Sequence, residues 1–286
     1  MLAAFIRALR PVQWIKNVFV LAPVVFAQRL ADVAALGRAA LAFAVFCAAA
    51  SAVYLWNDLR DREEDRRHPL KRHRPIAAGV VPPALAAAAA GLLGALALAA
   101  AWRLGDAVLA LVAVYLGINL LYSRWLKRLV IVDVMAVASG YLIRVVAGAQ
   151  AIPVAVSSWL LLCTLFLALF LVFSKRRHEL LLNDGGQRAV LSHYSPAFLD
   201  QMINVVTASA VVSYALYAVD DATVARFGSD RLVWTVPLVL FGIFRYLYLV
   251  YQRQEARNPT ETVVTDPPSL INLLLWALMV LWITVR

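Results

Sequence analysis

Nine apolar runs fill most of this chain, at 12–29, 35–57, 83–102, 106–122, 129–150, 158–174, 199–218, 234–251 and 270–285. Each is near the roughly 20 residues that an α-helix needs to cross about 30 Å of hydrocarbon. Inside a bilayer every backbone polar group must be bonded within the chain, which continuous helices achieve. A hydrophobic fraction of 63% against 15% charged residues excludes an ordinary soluble domain. The expectation is an all-α, polytopic membrane protein with nine transmembrane helices, forming a single domain over residues 1–286. The first run is interrupted by Lys16 and Asn17.

Basic residues in short loops stay cytoplasmic, so the 27 Lys and Arg residues orient the chain. With the N-terminus inside, 19 of them fall on the cytoplasmic side, seven between Arg60 and Arg74, and six on the opposite side. This bias accounts for most of the net charge of +10. There is no soluble domain to present a nucleic-acid surface, so nucleic acid is not an expected partner. Residues 1–11 lack a cleavable leader pattern, and the first run is expected to remain as an anchor. Cys47 and Cys163 lie in apolar runs at a spacing that suggests neither a disulfide framework nor a metal site. The sequence does not set an oligomeric state.

The densest charge is Asn57-Asp58-Leu59-Arg60-Asp61-Arg62-Glu63-Glu64-Asp65, directly after an apolar run. If the helix of 35–56 continues through it, Asp58, Asp61 and Asp65 stand at i, i+3 and i+7 on one face. Such oxygens suit Mg²⁺, which commonly bridges one or two carboxylates to substrate phosphates. Lys71, Arg72 and Arg74 lie just downstream and would meet the same phosphates. The plainer alternative is a solvated loop whose charges neutralise one another.

Other charges sit where hydrocarbon is expected. Asp133 and Arg144 lie inside one apolar run at i and i+11, close to three turns and so on one face, and charges there normally point into a cavity. Tyr122 and Lys127 precede them; Tyr122 with Trp125 also fits an interfacial belt, and Lys127 with Arg128 a topology signal. Ser174-Lys175-Arg176-Arg177-His178-Glu179, with Arg188 and Tyr194 beyond, reads as a phosphate clamp or as lysines and arginines reaching anionic lipid. His178 and His193 read as loop residues. Lys16, early in the first run, snorkels or adds a cation to the same cavity. Asp220, Asp221, Asp230 and Asp266 read as helix caps.

Taken in order, these segments resemble the UbiA superfamily of intramembrane prenyltransferases. Asn57, Asp58, Asp61 and Asp65 match its N-D-x-x-D-x-x-x-D motif, whereas no second D-x-x-x-D motif appears after Lys175. The fuller resemblance is to the decaprenyl-phosphate phosphoribosyltransferase branch. It is carried by Arg10 to Asn17, Asn57 to Asp65, Lys71 to Gly79, Tyr122-Ser123, Leu126-Lys127, Asp133-Val134, Leu142-Ile143-Arg144, Ala147-Gly148, Lys175-Arg176 with Glu179, Arg188, Tyr194 and Asp266. The resemblance implies a UbiA-like bundle with a cytoplasm-facing cavity, multi-pass in a bacterial inner membrane. It implies transfer of 5-phosphoribosyl from phosphoribosyl pyrophosphate to a polyprenyl phosphate, feeding a lipid-linked arabinose donor for cell-wall polysaccharide such as arabinogalactan.

On that reading Asn57, Asp58, Asp61 and Asp65 hold Mg²⁺ or Mn²⁺, and Asp58, Asp61, Lys16 and Arg144 are catalytic. The substrates would be bound by Lys16, Asn17, Asn57, Asp65, Lys71, Arg72, Arg74, Tyr122, Lys127, Asp133, Arg144, Lys175, Arg176, Arg188 and Tyr194. Prenyl transfer to an aromatic acceptor is the alternative. A transporter is a third, disfavoured because the charges crowd one face.

Overall fold

The computed structural model describes residues 1–69, 71–182, 189–253 and 265–285. Among them every regular element is helical: α1 (Leu2–Leu9), a 3-10 segment (Pro11–Leu21), α2 (Ala22–Phe26), α3 (Val33–Arg60), α4 (Arg62–Arg67), α5 (Pro83–Leu104), α6 (Asp106–Arg124), α7 (Val132–Ala151), α8 (Ser158–Leu182), α9 (Pro196–Val219), α10 (Asp221–Phe227), α11 (Val236–Tyr248) and α12 (Pro267–Val285). Eight helices among the described residues are long and apolar enough to cross a membrane, and they correspond to the second to ninth apolar runs.

The first expected span is not among them. Arg10, at φ 55°, ends α1 in the left-handed region, and Pro11 restarts the chain as a 3-10 segment rather than an α-helix. At about 2 Å per residue the 3-10 segment and α2 together reach roughly 30 Å. The segment has the reach of a crossing with a different backbone. It is fastened to α3, where Trp14 Nε1 donates to Ser51 Oγ at 3.0 Å and Ser51 donates to the Leu9 carbonyl at 3.0 Å.

Two helices occupy the centre. In α3 and α7, 61% of the apolar stretch is buried, against 22% in α5, α6 and α12. A helix that faces lipid gains nothing by hiding its leucines, so burial marks position in the bundle. Close approach at the centre relies on small side chains. Ala86, Ala90, Ala97 and Ala101 form one buried face of α5, and α3 contributes Ala39, Ala42, Ala49 and Ala50. Gly148 of α7 is the tightest of the described glycines, because a Cβ there would lie 2.0 Å from the Val20 carbonyl oxygen of the 3-10 segment. At the end of the bundle away from the acidic residues, Arg38 donates to the terminal carbonyls of Ala151 and, at 2.8 Å, of Leu104, placing a cation where two helices end. Asp220 caps α10 through the Thr223 amide at 3.2 Å, in line with its place in the sequence.

Candidate active site

The acidic motif closes the buried helix α3. The helix does not run straight through it as expected: α3 stops at Arg60, Asp61 has ψ 10°, and α4 starts at Arg62. The amide bonds from Asp61 to Asn57 (2.9 Å) and from Asp65 to Asp61 (2.8 Å) nevertheless bridge the junction, so Asp58 and Asp65 still converge. Both are buried, at 3% exposure, and a carboxylate there needs a partner.

The partners are cations from other segments. Asp58 Oδ1 accepts from Arg10 Nη2 at 2.5 Å and from Arg74 Nη1 at 3.1 Å. The same Arg74 nitrogen donates to Asp65 Oδ2 at 2.7 Å. Asp61, half-buried, faces Lys127 Nζ at 3.4 Å. Asn57 receives the Ser123 hydroxyl from the end of α6, and Arg10 lies over the Tyr54 ring at 5.0 Å. Burial raises the Asp65 carboxyl above the ordinary carboxylate range, and Arg74 offsets this in part. Three carboxylates therefore meet Arg10, Arg74 and Lys127, with the charge of Lys71 also acting on Asp65, so the negative charge of the cluster is matched.

Arg74 Nη1 touches both the Asp58 and the Asp65 carboxylate, which is the position a cation bridging the two would take. With Asp61 and the Asn57 side-chain oxygen, this is an all-oxygen donor set of the type that hard divalent cations prefer. The residues fit Mg²⁺ or Mn²⁺ in chemistry. In geometry they are drawn to arginine and lysine instead, and among the described residues no three His, Cys, Asp or Glu side chains are gathered as a metal site.

Of the cations expected downstream, Arg74 joins the cluster by hydrogen bonds and Lys71 acts on Asp65 through its charge. Lys71 is half-buried in a 3-10 turn at Lys71–His73, and Arg72 is exposed with Nε 3.4 Å from His73. Sequence reasoning misses Arg10 as a site residue, although Pro11 after it marks the end of a helix. It also gives Ser123 no role, although the adjoining Tyr122 is among the expected site residues.

A second network lies between α7 and α8. Arg176, 2% exposed, donates to Asp133 at 2.7 Å, to Glu179 at 2.8 Å and to the Tyr122 hydroxyl at 3.0 Å. The Tyr194 hydroxyl donates to Asp133 at 2.8 Å and accepts from the Ile131 amide at 2.7 Å, holding Ile131 at φ 67°. Burial pushes the Tyr194 phenol up to about 12. Lys175 stands 3.8 Å from Glu179. The basic cluster lies near the end of α8, His178 is on that helix rather than in a loop, and Arg176 has a carboxylate on each side. Arg188 lies outside the described residues.

A third network holds Arg144, which among the described residues shares no hydrogen-bond partner with Asp133, although the two are expected on one face. Its guanidinium, 6% exposed, donates to Asn17 at 2.7 Å, to the Gly140 carbonyl at 2.7 Å and to the Tyr115 hydroxyl at 3.0 Å. The Tyr115 ring lies 4.8 Å away, and Phe46 and Tyr141 lie within 5.8 Å, stabilising the charge through their faces. Asn17 is fully buried and also bonds Cys47 Sγ at 3.2 Å. Lys16, its neighbour, is half-buried.

A buried helix that delivers an acidic motif to one end of a multi-pass bundle, where cations from three other segments meet it, defines an intramembrane helical protein built to handle charged groups at one surface. The chain belongs to the UbiA prenyltransferase family, whose model matches residues 18–273. It is 42% identical over 290 residues to the decaprenyl-phosphate phosphoribosyltransferase of Mycolicibacterium smegmatis, covering 96% of this chain and 91% of that one. The protein of the same name from Mycobacterium tuberculosis strain H37Rv is 39% identical over 252 residues, covering 85% of this chain and 83% of its own length. Among solved structures, a UbiA homolog from Archaeoglobus fulgidus bound to GPP and Mg²⁺ superposes with a TM-score of 0.73 at 18% identity, covering 99% of this chain and 97% of that one.

Proposed function

We propose that this chain transfers the 5-phosphoribosyl group of phosphoribosyl pyrophosphate to the phosphate of a polyprenyl lipid, releasing pyrophosphate. The observation that carries the reading is identity of 36–42% with relatives named for this activity. The site supports it. Both substrates are polyanions, and cations rather than aromatic walls surround Asp58, Asp61 and Asp65; an allylic cation would call for the opposite.

In the transfer, the bond from the anomeric carbon to the pyrophosphate oxygen breaks and a bond to an oxygen of the lipid phosphate forms. The attacking oxygen is already ionised at neutral pH, so this chain need supply no general base. Arg10, Arg74 and Lys127, already gathered at the site, bind and orient the diphosphate and neutralise charge as it departs. Asn57, Asp58, Asp61 and Asp65 would hold Mg²⁺ or Mn²⁺, which when bound supplies Lewis-acid stabilisation of the leaving group. We place the acidic end, with the N-terminus, on the cytoplasmic side of a bacterial inner membrane, guided by the basic residues, and treat residues 1–286 as one domain.

The test incubates purified protein with Mg²⁺, labelled phosphoribosyl pyrophosphate and polyprenyl phosphate, beside a second tube holding labelled prenyl diphosphate and an aromatic acceptor. Labelled lipid in the first tube is expected. Product in the second tube alone would reverse the reading in favour of prenyl transfer.

A further inference from the structure

Beside the acidic cluster, a cleft of about 510 Å³ opens between the ends of α3 and α6, lined by Trp56, Arg60, Leu120, Leu121, Arg124 and Trp125. Trp56 and Arg60 are i and i+4 on α3, and Asn57 and Asp61 form the adjacent strip, about 100° round the helix. On α6, Ser123 bonds Asn57 while Arg124 lines the cleft. The cleft and the acidic site are therefore neighbouring faces of the same two helix ends.

Its lining is unusual for a surface that meets lipid. Trp56, Leu120, Leu121 and Trp125 are between 44% and 58% exposed, which suits an acyl or isoprenoid chain at the level where tryptophans gather. Arg60 and Arg124 are exposed, and neither is ion-paired among the described residues; Arg124 rests 5.7 Å from the centre of the Trp125 ring. Two like charges on one cleft repel unless an anion lies between them, and guanidinium forks suit phosphate oxygens. A phosphate monoester carries up to two negative charges and matches the pair, whereas a phosphodiester headgroup carries one. A soluble phosphate would make no use of the apolar walls.

The geometry points to this cleft as the docking subsite for the phosphate of a polyprenyl monophosphate arriving from the bilayer, one helix face away from the acidic cluster. The subsite stands on its own chemistry; its role in turnover rests on the proposed phosphoribosyl transfer.

The experiment uses the full chain in phosphatidylcholine nanodiscs and measures polyprenyl monophosphate binding by native mass spectrometry, then steady-state kinetics. In the double variant Arg60→Gln/Arg124→Gln, affinity for the lipid should fall at least about tenfold, the loss of two charge-assisted contacts. The charge-retaining Arg60→Lys/Arg124→Lys pair should recover part of it. KM for the lipid should rise in parallel, while kcat and KM for phosphoribosyl pyrophosphate stay within about twofold of the parent protein. Polyprenol and phosphatidylglycerol should compete poorly. Unchanged affinity in the glutamine variant, or no binding to the parent protein, would overturn the inference. Equal displacement by phosphatidylglycerol would overturn it too, by making the cleft an ordinary lipid contact, as would a change in oligomeric state, by making it an interface between copies. Arginine-dependent lipid binding without phosphoribosyl product would leave the subsite standing and remove the proposed reaction.

Discussion

Gly148→Ala tests how the 3-10 segment is held. A Cβ at Gly148 would stand 2.0 Å from the Val20 carbonyl oxygen and 2.9 Å from its carbon, whereas carbon and oxygen in contact keep about 3.3 Å. Backbone must therefore move by roughly 1.3 Å, and no side-chain rotation relieves it. Overpacking of this type costs about 1–3 kcal/mol. The displacement also pulls on Asn17, three residues before Val20, whose bond to Arg144 is 2.7 Å. Losing a buried hydrogen bond to a charged group adds about 1.5–3 kcal/mol. At roughly 2 °C per kcal/mol for a chain of this size, the melting temperature in detergent should fall by about 5–12 °C. Two controls grade the effect. At Gly140 a Cβ meets Arg144 Nη1 at 3.3 Å, the end of a long side chain, and at Gly91 it meets nothing within 4 Å. Gly140→Ala should be mildly destabilising, and Gly91→Ala neutral or stabilising by up to about 1 kcal/mol. Equal melting temperatures for Gly148→Ala and Gly91→Ala would refute the contact on which this argument rests.

Asp61→Asn should separate activity from stability: the Lys127 contact at 3.4 Å is half-exposed and contributes at most about 1 kcal/mol, while turnover should fall at least about 100-fold; undiminished turnover would remove Asp61 from the site. Tyr194→Phe should cost about 1–3 kcal/mol by stripping a donor from Asp133 and an acceptor from the Ile131 amide, and combining it with Asp133→Asn should be less than additive in thermal unfolding. The Asp266 carboxyl is held well below the usual range, first by its bonds from Arg245 at 2.7 and 3.0 Å and then by Ser269. Its contribution is present above about pH 4, the unfolded value, and is lost as pH falls further, so the melting-temperature gap between the parent protein and Asp266→Asn should narrow on acidification from pH 7 to pH 3. Because the acidic cluster is already matched by Arg10, Arg74 and Lys127, Mg²⁺ alone should bind weakly in calorimetry and more tightly when pyrophosphate is present; strong binding of Mg²⁺ alone would contradict that charge balance.

Eight spans are legible because a bilayer demands a long apolar helix and the sequence supplies runs of that length, even where Asp133, Arg144 and Arg245 punctuate them. The first run departs from that pattern because Arg10, Pro11 and the buried Asn17 make Pro11–Leu21 a 3-10 segment, and hydropathy does not distinguish the two backbones. The acidic motif is visible as a spacing, and Arg74 and Lys127 are expected beside it, but Arg10 is not. Arg10 lies 48 residues from Asp58, and Asn17 lies 127 from Arg144, separations at which local pattern carries no contact information. Asp133 and Arg144 fail for a different reason. Eleven residues do return to one face of a helix, yet they also climb about 16 Å along it, enough to place one residue opposite α8 and the other opposite the 3-10 segment. Arg176 is conspicuous as a charge, but its place is hidden, since α8 continues to Leu182 and carries the guanidinium inward to Asp133.

The three networks differ in how their charge is balanced, and that difference bears on function. Arg176 is enclosed by two carboxylates and a phenol, so an incoming phosphate would have to displace short, buried contacts that tie α8 to α7 before reaching it. Arg144 has no carboxylate among its described partners and is steadied by neutral oxygens and aromatic faces, an arrangement that keeps a positive charge inside the bundle without cancelling its field. At the acidic cluster, Arg10 comes from the N-terminal segment, Arg74 from the stretch after α4, and Lys127 from the turn between α6 and α7. Three separate segments are thus tied to one helix end by the carboxylates of the acidic motif. When a polyanion enters, each cation can exchange a carboxylate for a phosphate oxygen without leaving the site, so the contacts that close the fold at this end are the same charges that would receive the substrate.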